Sequence, residues 1–172
     1  MFPEIEEKNI TLLVTSLERY HETLPKLVES FSSSQGIYTS TNRSCERIRD
    51  SLKENRINHG NLFFVDTVSK PSGLDVEDTE KCVYVDDPRN LVNLSIKVSG
   101  LVSEDISFLI FDSLSGLLLY NGERNVEKFI HSFCSEIRSW NLKGVLLSVK
   151  DSFKPDVLTT ISGFCDQTIE VK

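Results

Sequence analysis

Two aspartates, Asp66 and Asp112, each end a run of large apolar residues, Leu62-Phe63-Phe64-Val65 and Phe108-Leu109-Ile110-Phe111. A carboxylate at the carboxyl end of a buried strand is where open α/β sheets bind ligands. With Ser113 and Ser148 nearby on similar strand ends, and Glu18 after the first strand, the pair suits a magnesium ion and a small ligand. The competing reading gives each aspartate a local job, capping a loop or pairing with a nearby base. Other reactive types are scattered. His21, His59 and His131 have no HxxxH or HExxH spacing. Cys45, Cys82, Cys134 and Cys165 form no CxxC pair or zinc pattern, so free thiols in a reducing compartment are expected. No serine sits in a GxSxG elbow, and Ser113-Leu114-Ser115-Gly116 echoes one only superficially.

Placing those side chains requires alternating strands and helices. Ile10 to Thr15 is a continuous apolar, β-branched run, as a strand covered on both faces should be. Leu24, Leu27, Val28 and Phe31 then follow at helix-face spacing, and Pro25 predicts a helix start near residues 21–24. A second strand is expected over Gly36–Ser40, a helix capped by Asn42 or Ser44 up to Asn55, and a third strand over Asn61–Asp66. Leu91, Leu94, Val98 and Leu101 mark another helix. Ile106–Asp112 is the strongest strand, Val126–Trp140 the clearest helix, and Gly144–Val149 a further buried strand. A short helix around 156–161 leads to a last strand, Gln167–Val171. Between them, residues 70–88 break the pattern. Asp75 to Asp87 carries six acidic residues against Lys81 alone, a net charge of −5. This reads as an acidic surface excursion containing an edge strand, Cys82–Val85, whose like charges discourage edge-to-edge pairing. The prediction is one α/β domain over residues 1–172, three-layered, with a mostly parallel central sheet.

The order of these pieces resembles the KaiC/RecA-like ATPases. Leu109-Ile110-Phe111-Asp112-Ser113-Leu114-Ser115 is similar to that family's Walker B strand, and Gly163 to Val171 to its terminal strand. Gly36–Ser40 and Phe63–Asp66 stand where its second and third strands would be, and the resemblance is nearest to uncharacterised archaeal members. It implies a RecA-like fold and, at Asp112, the remains of a metal-phosphate site. The phosphate loop itself is missing. Such a loop needs glycines, so that successive backbone N–H groups wrap a phosphate, followed by Lys and Ser or Thr. Here the chain reads Thr15-Ser16-Leu17-Glu18-Arg19-Tyr20-His21-Glu22-Thr23, with no glycine and two glutamates. Family members that hydrolyse ATP carry glutamates after the second strand, where this chain has Thr41-Asn42-Arg43. A pseudo-ATPase without cofactor is expected, acting through a protein partner or as a homo-oligomer. The resemblance also puts Leu117-Leu118-Leu119-Tyr120 near subunit contacts; a buried helix start is the other reading of that run.

Bulk composition agrees. Lys plus Arg is 19 and Asp plus Glu 26, a net charge of −7, which opposes nucleic-acid or anionic-membrane binding. Arg43, Arg47 and Arg49 read as a solvated helix face. The apolar stretch from Ile106 to Tyr120 is too short to span a bilayer and is broken by Asp112. The opening residues are acidic where a signal peptide would be basic, so a cytoplasmic location is expected.

Overall fold

The computed structural model describes residue 5 and residues 10–171; the acidic opening segment lies largely outside them. Within these residues seven strands form one sheet: β1 (Ile10–Thr15), β2 (Gln35–Ser40), β3 (Leu62–Asp66), β4 (Cys82–Tyr84), β5 (Ile106–Asp112), β6 (Lys143–Val149) and β7 (Gln167–Val171). Their order is β4-β3-β2-β5-β6-β1-β7, and every pairing is parallel. Among the described residues six helices lie between them: α1 (Leu17–Ser30), α2 (Cys45–Glu54), α3 (Leu91–Ser99), α4 (Leu114–Leu117), α5 (Glu123–Ser139) and α6 (Pro155–Phe164).

Side-chain alternation along each strand divides the interior into two cores. Leu13, Tyr38, Phe64, Phe108, Ile110, Val145 and Leu147 face one way and meet Leu24, Leu27 and Val28 of α1 and Ile48 and Leu52 of α2. Leu12, Val14, Ile37, Val65, Leu109, Phe111 and Leu146 face the other way and meet α3, α4, α5 and α6 through Leu94, Leu117, Phe133 and Ile161. The continuous apolar runs in the sequence follow from this burial on both faces. The expected three-layer α/β arrangement is present.

Helix α1 starts earlier than Pro25 suggests. The Ser16 side chain accepts from the Arg19 N–H at 3.3 Å and caps the helix directly after β1. Pro25 therefore sits inside the helix. Its missing backbone hydrogen bond costs about 3 kcal/mol. Burying Leu24, Leu27 and Val28 contributes about 1.5–3 kcal/mol each, so packing outweighs the break. Ser44, rather than Asn42, caps α2, accepting from the Arg47 N–H.

The acidic residues 75–87 are held by cations on either side of them in sequence. Lys70 pairs with Asp86 at 2.9 Å and Lys97 with Asp78 at 2.5 Å, while the Asp78 carboxylate also accepts from the Tyr84 N–H. Strand β4 lies at the sheet edge, as expected, and ends one residue earlier.

One close approach fixes the other end of the sheet. Gly36 is the cross-strand partner of Phe108, whose ring stacks on Phe31 with centroids 4.4 Å apart. A Cβ on Gly36 would lie 2.3 Å from the Phe108 ring. Gly36→Ala is therefore expected to cost about 1–3 kcal/mol by overpacking. Urea unfolding measures it, and an unchanged midpoint would contradict the close fit.

Candidate functional site

Strands β1, β2, β5 and β6 deliver their carboxyl ends to one side of the sheet, around an open cleft of about 550 Å³. Leu17, Tyr20 and His21 of α1, Asn42 and Arg43 after β2, Ser115, Gly116 and Leu119 after β5, and Val149, Lys150 and Ser152 after β6 line it. Only Ser16 separates β1 from α1, so the backbone enters a capped helix at once. Glu18 and Glu22 are exposed and do not line the cleft. The charge that does line it is basic, and already committed: Lys150 pairs with Glu170 at 2.7 Å, and Arg43 with Asp112 at 3.8 Å.

Asp112 is fully buried beneath this cleft. The Tyr20 hydroxyl donates to its Oδ1 and the Tyr38 hydroxyl to its Oδ2. Arg43 stands 5.7 Å over the Tyr20 ring as well. Each partner follows from local structure. Tyr20 lies one turn into α1, and its N–H bonds the Ser16 carbonyl at the cap. Tyr38 sits in the interior of β2, beside β5. Arg43 does not lie on a solvated helix face with Arg47, as the sequence suggested. It turns inward from the loop before α2, while Arg49 lies over the Phe64 ring at 4.8 Å.

Burial raises the Asp112 pKa above the usual carboxylate range; the two tyrosine hydrogen bonds and Arg43 oppose that shift without cancelling it. Burial and the adjacent carboxylate push both tyrosine hydroxyls well above their ordinary range, so they remain donors.

The adjoining strand end is stitched to the loop after β2. The Thr41 N–H donates to the Asp112 carbonyl at 2.7 Å, and the Thr41 hydroxyl to the Ser113 carbonyl at 2.7 Å. The Ser113 N–H returns a bond to Thr41 Oγ1 at 2.9 Å, and Asn42 Nδ2 donates to Ser113 Oγ at 2.8 Å. The Asp112–Ser113 peptide is cis. A Cβ on Gly116 would meet Thr41 Oγ1 at 2.1 Å, so no larger residue fits against this loop. Ser148 is buried in β6, its hydroxyl directed at the Val149 carbonyl at 3.4 Å.

Asp66 stands apart from Asp112 and is also fully buried. Its Oδ1 accepts from the Val68 and Ser69 N–H groups at 2.7 and 2.8 Å. Its Oδ2 accepts from the Cys45 N–H at 2.8 Å and the Ser69 hydroxyl at 2.7 Å. A carboxylate has about four lone-pair sites, and here each is used to hold the turn after β3 and the start of α2.

The run after β5 divides. Leu117 is buried and Leu118 half-buried, whereas Leu119 and Tyr120 are 72% and 51% exposed. Leu17, 70% exposed, faces the same cleft as Leu119. Sequence reading brought Asp112 and Ser113 to this end but missed Tyr20, Tyr38 and Arg43. One signal was available: a tyrosine in the middle of a buried strand, as Tyr38 is in β2, must find an acceptor for its hydroxyl.

Replacing Asp112 with Asn leaves one tyrosine hydroxyl without its acceptor and is expected to cost about 2–3 kcal/mol. Because the native pKa is raised, the folded state holds the proton more tightly than the unfolded one. This group's contribution is thus fully present below the unfolded pKa and is lost as pH rises through the native one. The stability deficit of Asp112→Asn should therefore shrink between pH 4 and pH 8 in paired urea titrations. A deficit that grows with pH contradicts the assignment.

Among the described residues no helix is long and apolar enough to cross a membrane. The fold is similar to a solved KaiC-like protein from the hyperthermophilic archaeon Pyrococcus horikoshii OT3, with a TM-score of 0.69 and 11% sequence identity over 98% of this chain and 74% of that one. At that identity the likeness establishes the fold, which is α/β and RecA-like. A comparison with curated proteins finds no match. A sequence profile described as Family of unknown function (DUF7504) matches residues 12–171, and the chain belongs to that family.

Proposed function

We propose that this protein is a non-catalytic KaiC/RecA-like domain that acts through protein contacts, in regulation or scaffolding, without hydrolysing ATP. The observation that carries the reading is the occupation of Asp112 by protein donors. In an ATPase of this fold a strand-end aspartate must present lone pairs to hydrated magnesium. Here both oxygens accept from tyrosine hydroxyls in a buried setting. The junction after β1 supports the same conclusion. A phosphate loop needs several backbone N–H groups arranged around an anion before the helix begins, and one residue lies between β1 and α1. The P-loop is absent on this reading, and the aspartate is a fossil of ancestry put to structural use.

Leu17, Leu119 and Tyr120 supply an apolar rim at the same end of the sheet, which suits a protein partner or a second copy. The four unlinked thiols fit a cytoplasmic setting. The alternative is a divergent ligand site with a metal on the strand-end aspartates, and it requires those carboxylates to give up their present donors. The basic lining from Arg43 and Lys150 is the feature that favours a small anion in the cleft.

Thermal unfolding with and without ATP–Mg²⁺ separates the two. With a micromolar Kd, nucleotide at about 1 mM would add about 4 kcal/mol of stability. That corresponds to about 8–16 °C in Tm for a chain of this size. The expected shift is below about 1 °C, with light scattering showing a defined oligomer or a captured partner. A large saturable shift, lost in Asp112→Ala, would replace this reading with the ligand-binding one.

A further inference from the structure

Away from the cleft, on the α1/α2 face of the sheet, two cysteines far apart in sequence meet. Cys45 is the first residue of α2 and Cys82 the first of the edge strand β4. The Cys82 thiol donates to Cys45 Sγ across 3.0 Å, and the Tyr84 hydroxyl lies 3.6 Å from the same sulfur. A disulfide needs the two sulfurs to close by about 1 Å more. Strand β4 is three residues long and pairs on one side only, so it can supply that movement. Asp66 lies within 4.8 Å and could complete a metal site with the two thiols. Its oxygens, however, are already taken by the Cys45 N–H, the Val68 N–H, and the Ser69 N–H and hydroxyl. That leaves the two sulfurs to react with each other.

We propose that Cys45 and Cys82 form a reversible dithiol–disulfide site, oxidised by a small peroxide and restored by a dithiol reductant. Cys45 is the attacking sulfur. It stands in the first turn of α2, where the helix N-terminus favours a thiolate. The hydrogen bond from Cys82, the largest influence on it, draws its pKa down to about 7 against the opposing effect of burial, while donating that bond pushes the Cys82 thiol up. In the first step the Cys45 thiolate attacks one peroxide oxygen. The O–O bond breaks, the sulfur becomes a sulfenic acid, and the second oxygen leaves as hydroxide and is protonated to water. In the second step Cys82 sulfur attacks Cys45 sulfur. The S–S bond forms, the S–O bond breaks, and the departing hydroxide takes the Cys82 proton to give a second water. In sum, two thiols are oxidised and one hydrogen peroxide is reduced to two waters. The two cysteines are 3% and 1% exposed, so a small oxidant suits the site better than a bulky one. The link closes a loop that contains β3 and the acidic residues 75–80, fastening the sheet edge to α2.

Hydrogen peroxide added to the reduced full chain tests this, followed by non-reducing peptide mapping, thiol titration in denaturant and thermal unfolding. The expected result is a Cys45–Cys82 peptide lighter by two hydrogens than its parts, and two fewer titratable thiols. Tm should rise by about 5–10 °C, reversed by dithiothreitol. Cys82→Ser and Cys82→Ala should each lose the peptide and the Tm rise, the second guarding against a folding defect in the first. Cys134 and Cys165 also share a hydrogen bond, so the mapping must separate the pairs. A link confined to Cys134–Cys165, or sulfinic acid on Cys45 without a link, overturns the proposal. So does tight binding of one equivalent of zinc by the reduced protein, lost in both variants, since that would make the pair a metal site.

Discussion

A carboxyl group sealed from water has to find its hydrogen-bond partners inside the protein, because an unpartnered buried acid costs several kcal/mol. Asp112 ends the central strand β5 and has no solvent contact. Much of the architecture at this end of the sheet can be understood as meeting that demand. The immediate passage from β1 into a capped α1 brings Tyr20 over one oxygen. The β2 ladder sets Tyr38 beneath the other. The loop after β2, tied to Ser113 through Thr41 and Asn42, directs Arg43 at the same group. Three segments distant in sequence, the start of α1, β2 with its following loop, and the end of β5, are thereby joined at one point.

The second strand-end aspartate solves the same problem differently. Asp66 uses backbone N–H groups and one hydroxyl from its own turn and from the α2 N-terminus, all between 2.7 and 2.8 Å. These donors are fixed by main-chain geometry, whereas those of Asp112 are side chains. A mutation can therefore strip Asp112 of its partners singly, while Asp66 keeps most of its own whatever the neighbouring residue type. The two aspartates, similar in sequence setting, thus hold different parts of the molecule.

The layered α/β fold was legible because burial on both sheet faces writes itself into continuous apolar runs such as Leu109-Ile110-Phe111, and helix-face spacing marked α3 and α5. The start of α1 was misread because Pro25 is a strong local signal and Ser16 a weak one; the packing of Leu24, Leu27 and Val28 decided between them. Asp112 was legible as a strand-end carboxylate, but its partners were not. Tyr20, Tyr38 and Arg43 acquire their roles only through strand order and loop direction, which spacing along the chain does not encode. Glu18 and Glu22 show the converse, since they follow β1 closely yet face solvent. The Cys45–Cys82 contact was hidden for the same reason: the residues lie 37 positions apart and meet only because β4 pairs with β3 while the start of α2 is held to Asp66 at the end of β3.

The central claim is that Asp112 belongs to the fold through its tyrosine donors, and a double-mutant cycle between Tyr20→Phe and Asp112→Asn addresses it most directly. Urea unfolding of the wild type, both single variants and the pair yields the coupling energy. If the hydroxyl and the carboxyl depend on each other, the double variant should be less destabilised than the sum of the singles by about 1–2 kcal/mol. Additivity to within about 0.3 kcal/mol would mean that Asp112 is not held by Tyr20, and would return its oxygens to the pool available for a ligand.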